Sequence, residues 1–178
     1  MKVYLIRHSE PTYQQVTTAG LTGFGRELGG LTDRGIMLAQ QCAQQPLFAQ
    51  VQLILSSPYT RALQTALEIV RFNDIPLKVE LGLHEWLPDN TGIRTDTDEQ
   101  AATAYKLYRQ HAGKRTTASP RPYESAAEMK ARVLATLNKY AASYDCIACV
   151  THGEVMRQFG DQKDVDYCSY VNKWHIFF

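Results

Sequence analysis

Lys2-Val3-Tyr4-Leu5-Ile6-Arg7-His8-Ser9-Glu10 is a short apolar, β-prone run that ends at once in a cation, an imidazole and a carboxylate. A strand that delivers such groups at its carboxyl end places chemistry at a sheet edge, where open α/β sheets bind ligands. The same pattern recurs twice. Val51-Gln52-Leu53-Ile54-Leu55 empties into Ser56-Ser57-Pro58, with Arg61 close behind, and Ile147-Ala148-Cys149-Val150 empties into Thr151-His152-Gly153.

Helical periodicity fills the intervals. Thr32 is the expected N-cap of a helix reaching about Gln45, with Ile36, Leu38, Ala39 and Cys42 on its apolar side. Ser57 as N-cap and Pro58 at the first helical position predict a second helix, carried by Ala62, Leu63, Ala66, Leu67, Ile69 and Val70. Leu77-Lys78-Val79 reads as a short strand. A helix is expected around Glu99 to His111 and a polar loop over 114–123. Ser125-Ala126-Ala127-Glu128 is a capping box that opens an amphipathic helix with Met129, Val133, Leu134, Leu137 and Tyr140. A short helix should follow Gly153 through Gln158, and the aromatic tail, Tyr167 to Val171 and Trp174 to Phe178, should form a closing strand or hairpin. Strands alternating with crossover-length helices predict an α/β three-layer sandwich with a mostly parallel central sheet. Residues 81–123 read as a cap-like excursion over its carboxyl edge, within a single domain spanning 1–178.

The 178 residues carry a net charge of +1, which gives no reason to expect nucleic acid or an anionic membrane as partner. No apolar run approaches the roughly 20 residues that span a bilayer. Met1 to Ile6 meets Arg7 too early for a secretory leader, so the expected location is cytoplasmic. Cys146-Ile147-Ala148-Cys149 has redox or zinc spacing, but on a strand side chains three apart point to opposite faces. With no second pair at ligand spacing, these are expected to be reduced core cysteines. Gly23-Phe24-Gly25-Arg26-Glu27-Leu28 has Leu where a dinucleotide fingerprint needs its third Gly, so it reads as a surface loop and a candidate pocket wall.

If the three strands are parallel, Arg7, His8, Arg61 and His152 gather at one edge, beside two helix N-termini. Two guanidiniums and two imidazoles in one crevice describe a site for a compact dianion, phosphate above all. An imidazole there can serve as base, hydrogen-bonding partner or nucleophile. A metal held by His8, His152 and His84 is disfavoured, because the adjacent arginines repel a cation. A phosphoryl transfer would also need an acid for the leaving oxygen.

Leu5-Ile6-Arg7-His8-Ser9-Glu10-Pro11 resembles the Arg-His-Gly signature of the histidine phosphatase (phosphoglycerate mutase-like) superfamily. Leu31-Thr32-Asp33-Arg34-Gly35 is similar to its Leu-Thr-x-x-Gly landmark. Ser56 to Ala66 resembles its Ser-Ser-Pro-x-x-Arg-Ala-x-Gln-Thr-Ala block, and Val150-Thr151-His152-Gly153 its late His-Gly. The resemblance implies a phosphomonoesterase without cofactor or metal, acting on a small phosphorylated substrate through a phosphohistidine on His8. It places Arg7, Arg61, Gln14 and Gly153 on the phosphate, with His152 among the catalytic set. The Leu83-His84-Glu85 context points to Glu85 as proton donor, with Asp89 in reserve.

Three departures stand out. Ser9 replaces the usual Gly and is expected to narrow the pocket. Gln14 stands where relatives carry Asn, and Glu154 adds negative charge beside the site. Arg26, Arg94, Arg115 and Arg121 are expected mainly as solvated surface residues. The alternatives are a catalytically weak phosphate-binding regulatory module, and a phosphoglycerate-type mutase, which the short excursion disfavours.

Overall fold

The computed structural model describes residues 1–160 and 164–175. Five strands form one sheet in the order β3-β2-β4-β1-β5. They are β1 (Lys2–Arg7), β2 (Leu53–Ser56), β3 (Leu77–Val79), β4 (Cys146–Thr151) and β5 (Tyr170–His175). β1, β2, β3 and β4 run parallel, and β5 closes the edge antiparallel to β1. The expected closing strand is thus present, although residues 176–178 of that tail lie outside the described residues.

Alternation along β1 shows how the sheet acquires two cores. Val3 and Leu5 face one side, with Met129, Val133 and Leu137 of α5 (Ala126–Asn138) and Val155 and Met156 of α6 (Gly153–Arg157). Tyr4 and Ile6 face the other, with Cys42 and Ala43 of α2 (Asp33–Ala43) and Ala62, Ala66 and Ile69 of α3 (Thr60–Asn73). A strand buried on both faces reads as an unbroken apolar run, which explains β1, β2 and β4. Cys146 and Cys149 fall in opposite cores, as the strand period requires, and all four cysteines are free.

The caps hold where their side chains reach backbone. Thr32 Oγ1 accepts from Gly35 N at 2.8 Å, and Ser125 and Glu128 complete the expected capping box. A second box, Thr97 with Gln100, opens α4 (Asp98–Gln110) in the excursion. One start differs from expectation. α3 begins at Thr60, not at Pro58, and Tyr59 is its N-cap residue. The Ser57 hydroxyl is instead engaged by His152 Nε2 at 2.7 Å and by Tyr59 N at 3.3 Å.

β4 lies between β1 and β2, so a strand from late in the chain is inserted between the first two. In register, Arg7 pairs with Thr151 and Ser56 with Val150. The carboxyl ends of the three strands are therefore level, and the residues that follow them, His8, Ser57 and His152, converge.

Candidate active site

Backbone bonds fix His8 before any ligand arrives. Its Nδ1 lies 2.7 Å from the carbonyl oxygen of Ser9, so that nitrogen carries the proton and Nε2 presents a lone pair. Burial, then the cations of Arg61 and Arg7, push the imidazole down to about 3 against the opposing Ser9 carbonyl. At neutral pH His8 is an uncharged base with its free nitrogen aimed at Arg61, whose Nε donates to it at 3.3 Å.

Arg61, in the first turn of α3, ties the site together. Its Nη2 lies 3.3 Å from His152 Nδ1, and its Nη1 donates to Glu27 Oε2 at 2.6 Å. Burial works against its charge, and Glu27 outweighs that cost, leaving the guanidinium more firmly protonated. His152 is fully buried and held well below its usual pKa by that burial and by Arg61. With Nδ1 accepting from Arg61, its Nε2–H donates to Ser57. The two imidazole rings meet edge to face at 5.1 Å.

Arg7 differs from the other arginines here. Its Nη1 donates to the Val165 carbonyl, and its guanidinium lies 4.3 Å over the Tyr167 ring. Its Nε is buried without a hydrogen-bond partner, and no carboxylate pairs with it among the described residues. A Cβ at Gly153 would sit 3.5 Å from that Nε, so glycine leaves the approach to it open.

Glu85 lines the cleft, and the backbone just before it is pinned from two sides. Thr151 Oγ1 donates to Leu83 O at 2.8 Å, and Arg132 reaches Gly82 O at 2.8 Å while pairing with Glu124 at 2.6 Å. Desolvation raises the Glu85 carboxyl above its usual value, against backbone bonds from Trp86 and Glu154 and the charge of Arg61. Asp89 is the reverse case. Burial would raise it, but bonds from Thr91 and Arg121 win and hold it low, with Arg121 Nη1 at 2.6 Å. Only Glu85 of the two lines the 520 Å³ cleft, with Arg7, Trp86, Tyr105, Gly153 and Arg157.

Of the expected site residues, Arg7, His8, Arg61, Glu85, His152 and Gly153 are brought together. Gln14 is not: it is exposed at the start of α1 (Gln14–Thr18), while its neighbour Tyr13 packs its ring 5.9 Å from the Arg61 guanidinium. Glu10 also leaves the site, turning to Thr32 and Arg34 at 2.8 Å each. Ser9 does not narrow the pocket. Its φ is negative, and its hydroxyl is buried and donates to Gly35 O at 2.6 Å, away from the cleft. Glu154 is present at the rim with its charge matched by Arg157 at 2.9 Å and Arg109 at 3.7 Å. His84 bonds the Glu85 carbonyl through Nδ1 at 2.6 Å.

Arg94 corrects the expectation of a solvated surface residue. It is 8% exposed and joins Glu27 at 2.6 Å and Asp96 at 3.1 Å. Glu27 itself was legible only as part of a pocket-wall loop. No local pattern marks it, because the charge that holds it comes from positions far along the chain.

A family model described as histidine phosphatase superfamily (branch 1) matches residues 3–162. The chain belongs to that superfamily. Among solved structures, α-ribazole phosphatase from Shigella flexneri is 28% identical, with 88% of this chain and 76% of that one covered at a TM-score of 0.59. A mycobacterial glucosyl-3-phosphoglycerate phosphatase in complex with VO3 is 18% identical, covering 95% and 88% at a TM-score of 0.67. YhfR of Bacillus stearothermophilus, at 20% identity, covers 88% and 76% at 0.65. No curated protein sequence matches the chain. These structures share the α/β fold of this chain, which is built here on the mostly parallel five-stranded sheet.

Proposed function

We propose that this histidine phosphatase superfamily enzyme hydrolyses small phosphomonoesters through a covalent phosphohistidine on His8 Nε2. The observation that carries the reading is a neutral His8, fixed through Nδ1, in one site with an arginine that has no carboxylate partner among the described residues and with a carboxyl group of raised pKa. Arg7 and Arg61 hold the phosphoryl oxygens, Arg61 transferring its Nε–H from His8 to the incoming phosphate. The freed Nε2 lone pair attacks phosphorus, and the P–O ester bond breaks. The leaving oxygen takes its proton from Glu85. Water then attacks the phosphohistidine and gives a proton to the Glu85 carboxylate, and the N–P bond breaks to release phosphate. His152, bonded to Arg61 and Ser57, acts as a positioning residue for Arg61.

The scheme draws on no metal or cofactor, and residues 1–178 serve it as one domain. A cytoplasmic setting suits four free cysteines; no helix among the described residues is long and apolar enough to cross a membrane. One observation favours a phosphate-binding module without turnover, namely that Arg61 occupies the His8 lone pair and is itself clamped by Glu27. An assay with p-nitrophenyl phosphate across acidic pH separates the two. The enzyme reading expects hydrolysis, an acid-labile and base-stable phosphoenzyme trapped by rapid quench, and loss of both in His8→Ala. Full turnover by His8→Ala would place the nucleophile elsewhere.

A further inference from the structure

Glu27 bridges two buried arginines that come from different parts of the chain. Its Oε2 accepts from Arg61 Nη1 and its Oε1 from Arg94 Nη1, each at 2.6 Å. Asp96 takes Arg94 Nε at 3.1 Å, so two cations and two carboxylates cancel within one buried cluster. Arg94 adopts a left-handed backbone, φ 45°, to reach inward. Gly23, at φ 56°, lies so close to the Arg94 carbonyl that any Cβ would collide with it, and its N–H donates to Asp96 O at 3.1 Å. The loop that carries Glu27 and the segment that carries Arg94 are therefore built to meet.

The cluster forms a wall of the cleft that must take the alcohol half of the ester, since Glu27 and Arg94 line it together with Arg7 and Glu85. Trp86, Pro88, Ala101, Ala102 and Tyr105 also line it, with Trp86 and Tyr105 rings edge to face at 5.5 Å. Among the described residues Arg7, Arg94 and Arg157 are the cations lining this cleft; Arg7 is assigned to the phosphate, and the other two each already hold a carboxylate. A second negative charge on the substrate would meet Glu27 rather than a free guanidinium, in surroundings where water screens it poorly.

We infer that Glu27 is a specificity-determining residue that excludes esters bearing a second anionic group, so that the cleft takes phosphomonoesters of uncharged alcohols. The inference rests on the reading of this cleft as a phosphomonoester site, and its test is independent of turnover. Glycerol 3-phosphate and 3-phosphoglycerate differ at neutral pH by one carboxylate, and their dissociation constants can be measured by calorimetry on the 178-residue His8→Ala chain. That chain should prefer glycerol 3-phosphate. Adding Glu27→Gln should shift the ratio of the two constants by about tenfold toward 3-phosphoglycerate, the effect of one poorly screened charge. A structural disturbance weakens both ligands alike and leaves the ratio unmoved.

Arg94→Gln leaves Glu27 unbalanced, so it should move the ratio several-fold in the opposite direction, and it decides the matter if Glu27→Gln does not fold. An unchanged ratio in the variant that folds, or tighter binding of 3-phosphoglycerate to the starting chain, overturns the inference. Failure to bind either ester overturns it together with the site reading. Binding without hydrolysis by the chain that retains His8 overturns the phosphatase reading alone.

Discussion

At the floor of the cleft, His8, Ser57 and His152 each follow the last residue of a parallel strand, and the register of β1, β4 and β2 brings them level. Along its wall, Glu27 comes from a 3-10 turn at Gly23–Leu28, and Arg94 and Trp86 come from irregular segments of the excursion. The floor is positioned by backbone hydrogen bonds that hold whether or not its side chains are present. The wall is positioned by ion pairs, Arg94 with Glu27 and Asp96 and Glu27 with Arg61 beneath, so its geometry and its charge cannot be varied separately. Chemistry common to all substrates should then reside in the floor, and discrimination among substrates in the wall.

The strongest way to break this contrast is to remove a floor cation. Arg61→Ala deletes the donor shared by His8, His152 and the incoming phosphate, and it also strips Glu27 of a partner. We expect kcat/KM for p-nitrophenyl phosphate to fall by roughly 10^3-fold, in line with the loss of a charged transition-state donor. Inorganic phosphate should inhibit the variant far more weakly. A loss under tenfold would show that Arg7 alone carries the phosphoryl group.

How much of each region could be read beforehand follows from the same contrast. A strand's apolar run and its terminal residues are local features, so Arg7, His8, Arg61 and His152 could be placed at one edge from pattern and parallel pairing alone. Their exact neighbours depend on atoms the pattern does not carry. Ser57 looked like a helix cap because Ser-Pro usually is one, yet a fully buried imidazole 95 positions away claims its hydroxyl. Gln14 was the amide at the family position, whereas it is Tyr13 that faces inward. Arg94 read as a surface cation, since burial of an arginine is justified only by Glu27 and Asp96, and neither spacing suggests that triad.

Glu85 lies where floor and wall meet, and Glu85→Gln sharpens the boundary between them. Without an acid, an alkyl phosphate with its poor leaving group should lose roughly 10^2-fold in kcat, and p-nitrophenyl phosphate much less. Equal losses would assign the proton to another group. The pH profile adds a sign. Glu85 donates only when protonated and its pKa is raised, so alkyl ester hydrolysis should decline as pH rises through a value above the ordinary carboxylate range. His8 attacks only when neutral, so kcat/KM should fall on the acid side as pH drops toward about 3. Glu85→Gln should erase the decline at higher pH and keep the acid limb.

The smallest effect is expected at Ser9, the residue nearest the proposed nucleophile and the one that departs from the family signature. Two parts of it act differently. Its main chain orients His8 through the carbonyl, and its N–H is held by Thr65 Oγ1 at 2.9 Å. Its side chain fastens β1's end to α2 through Gly35 O. Ser9→Ala keeps the first and removes the second, so it should cost about 1 kcal/mol of stability in urea unfolding and change kcat by less than about threefold. A kcat loss beyond tenfold with unchanged stability would give the hydroxyl a part in the chemistry. It would also move Ser9 from the scaffold beneath the floor into the site itself.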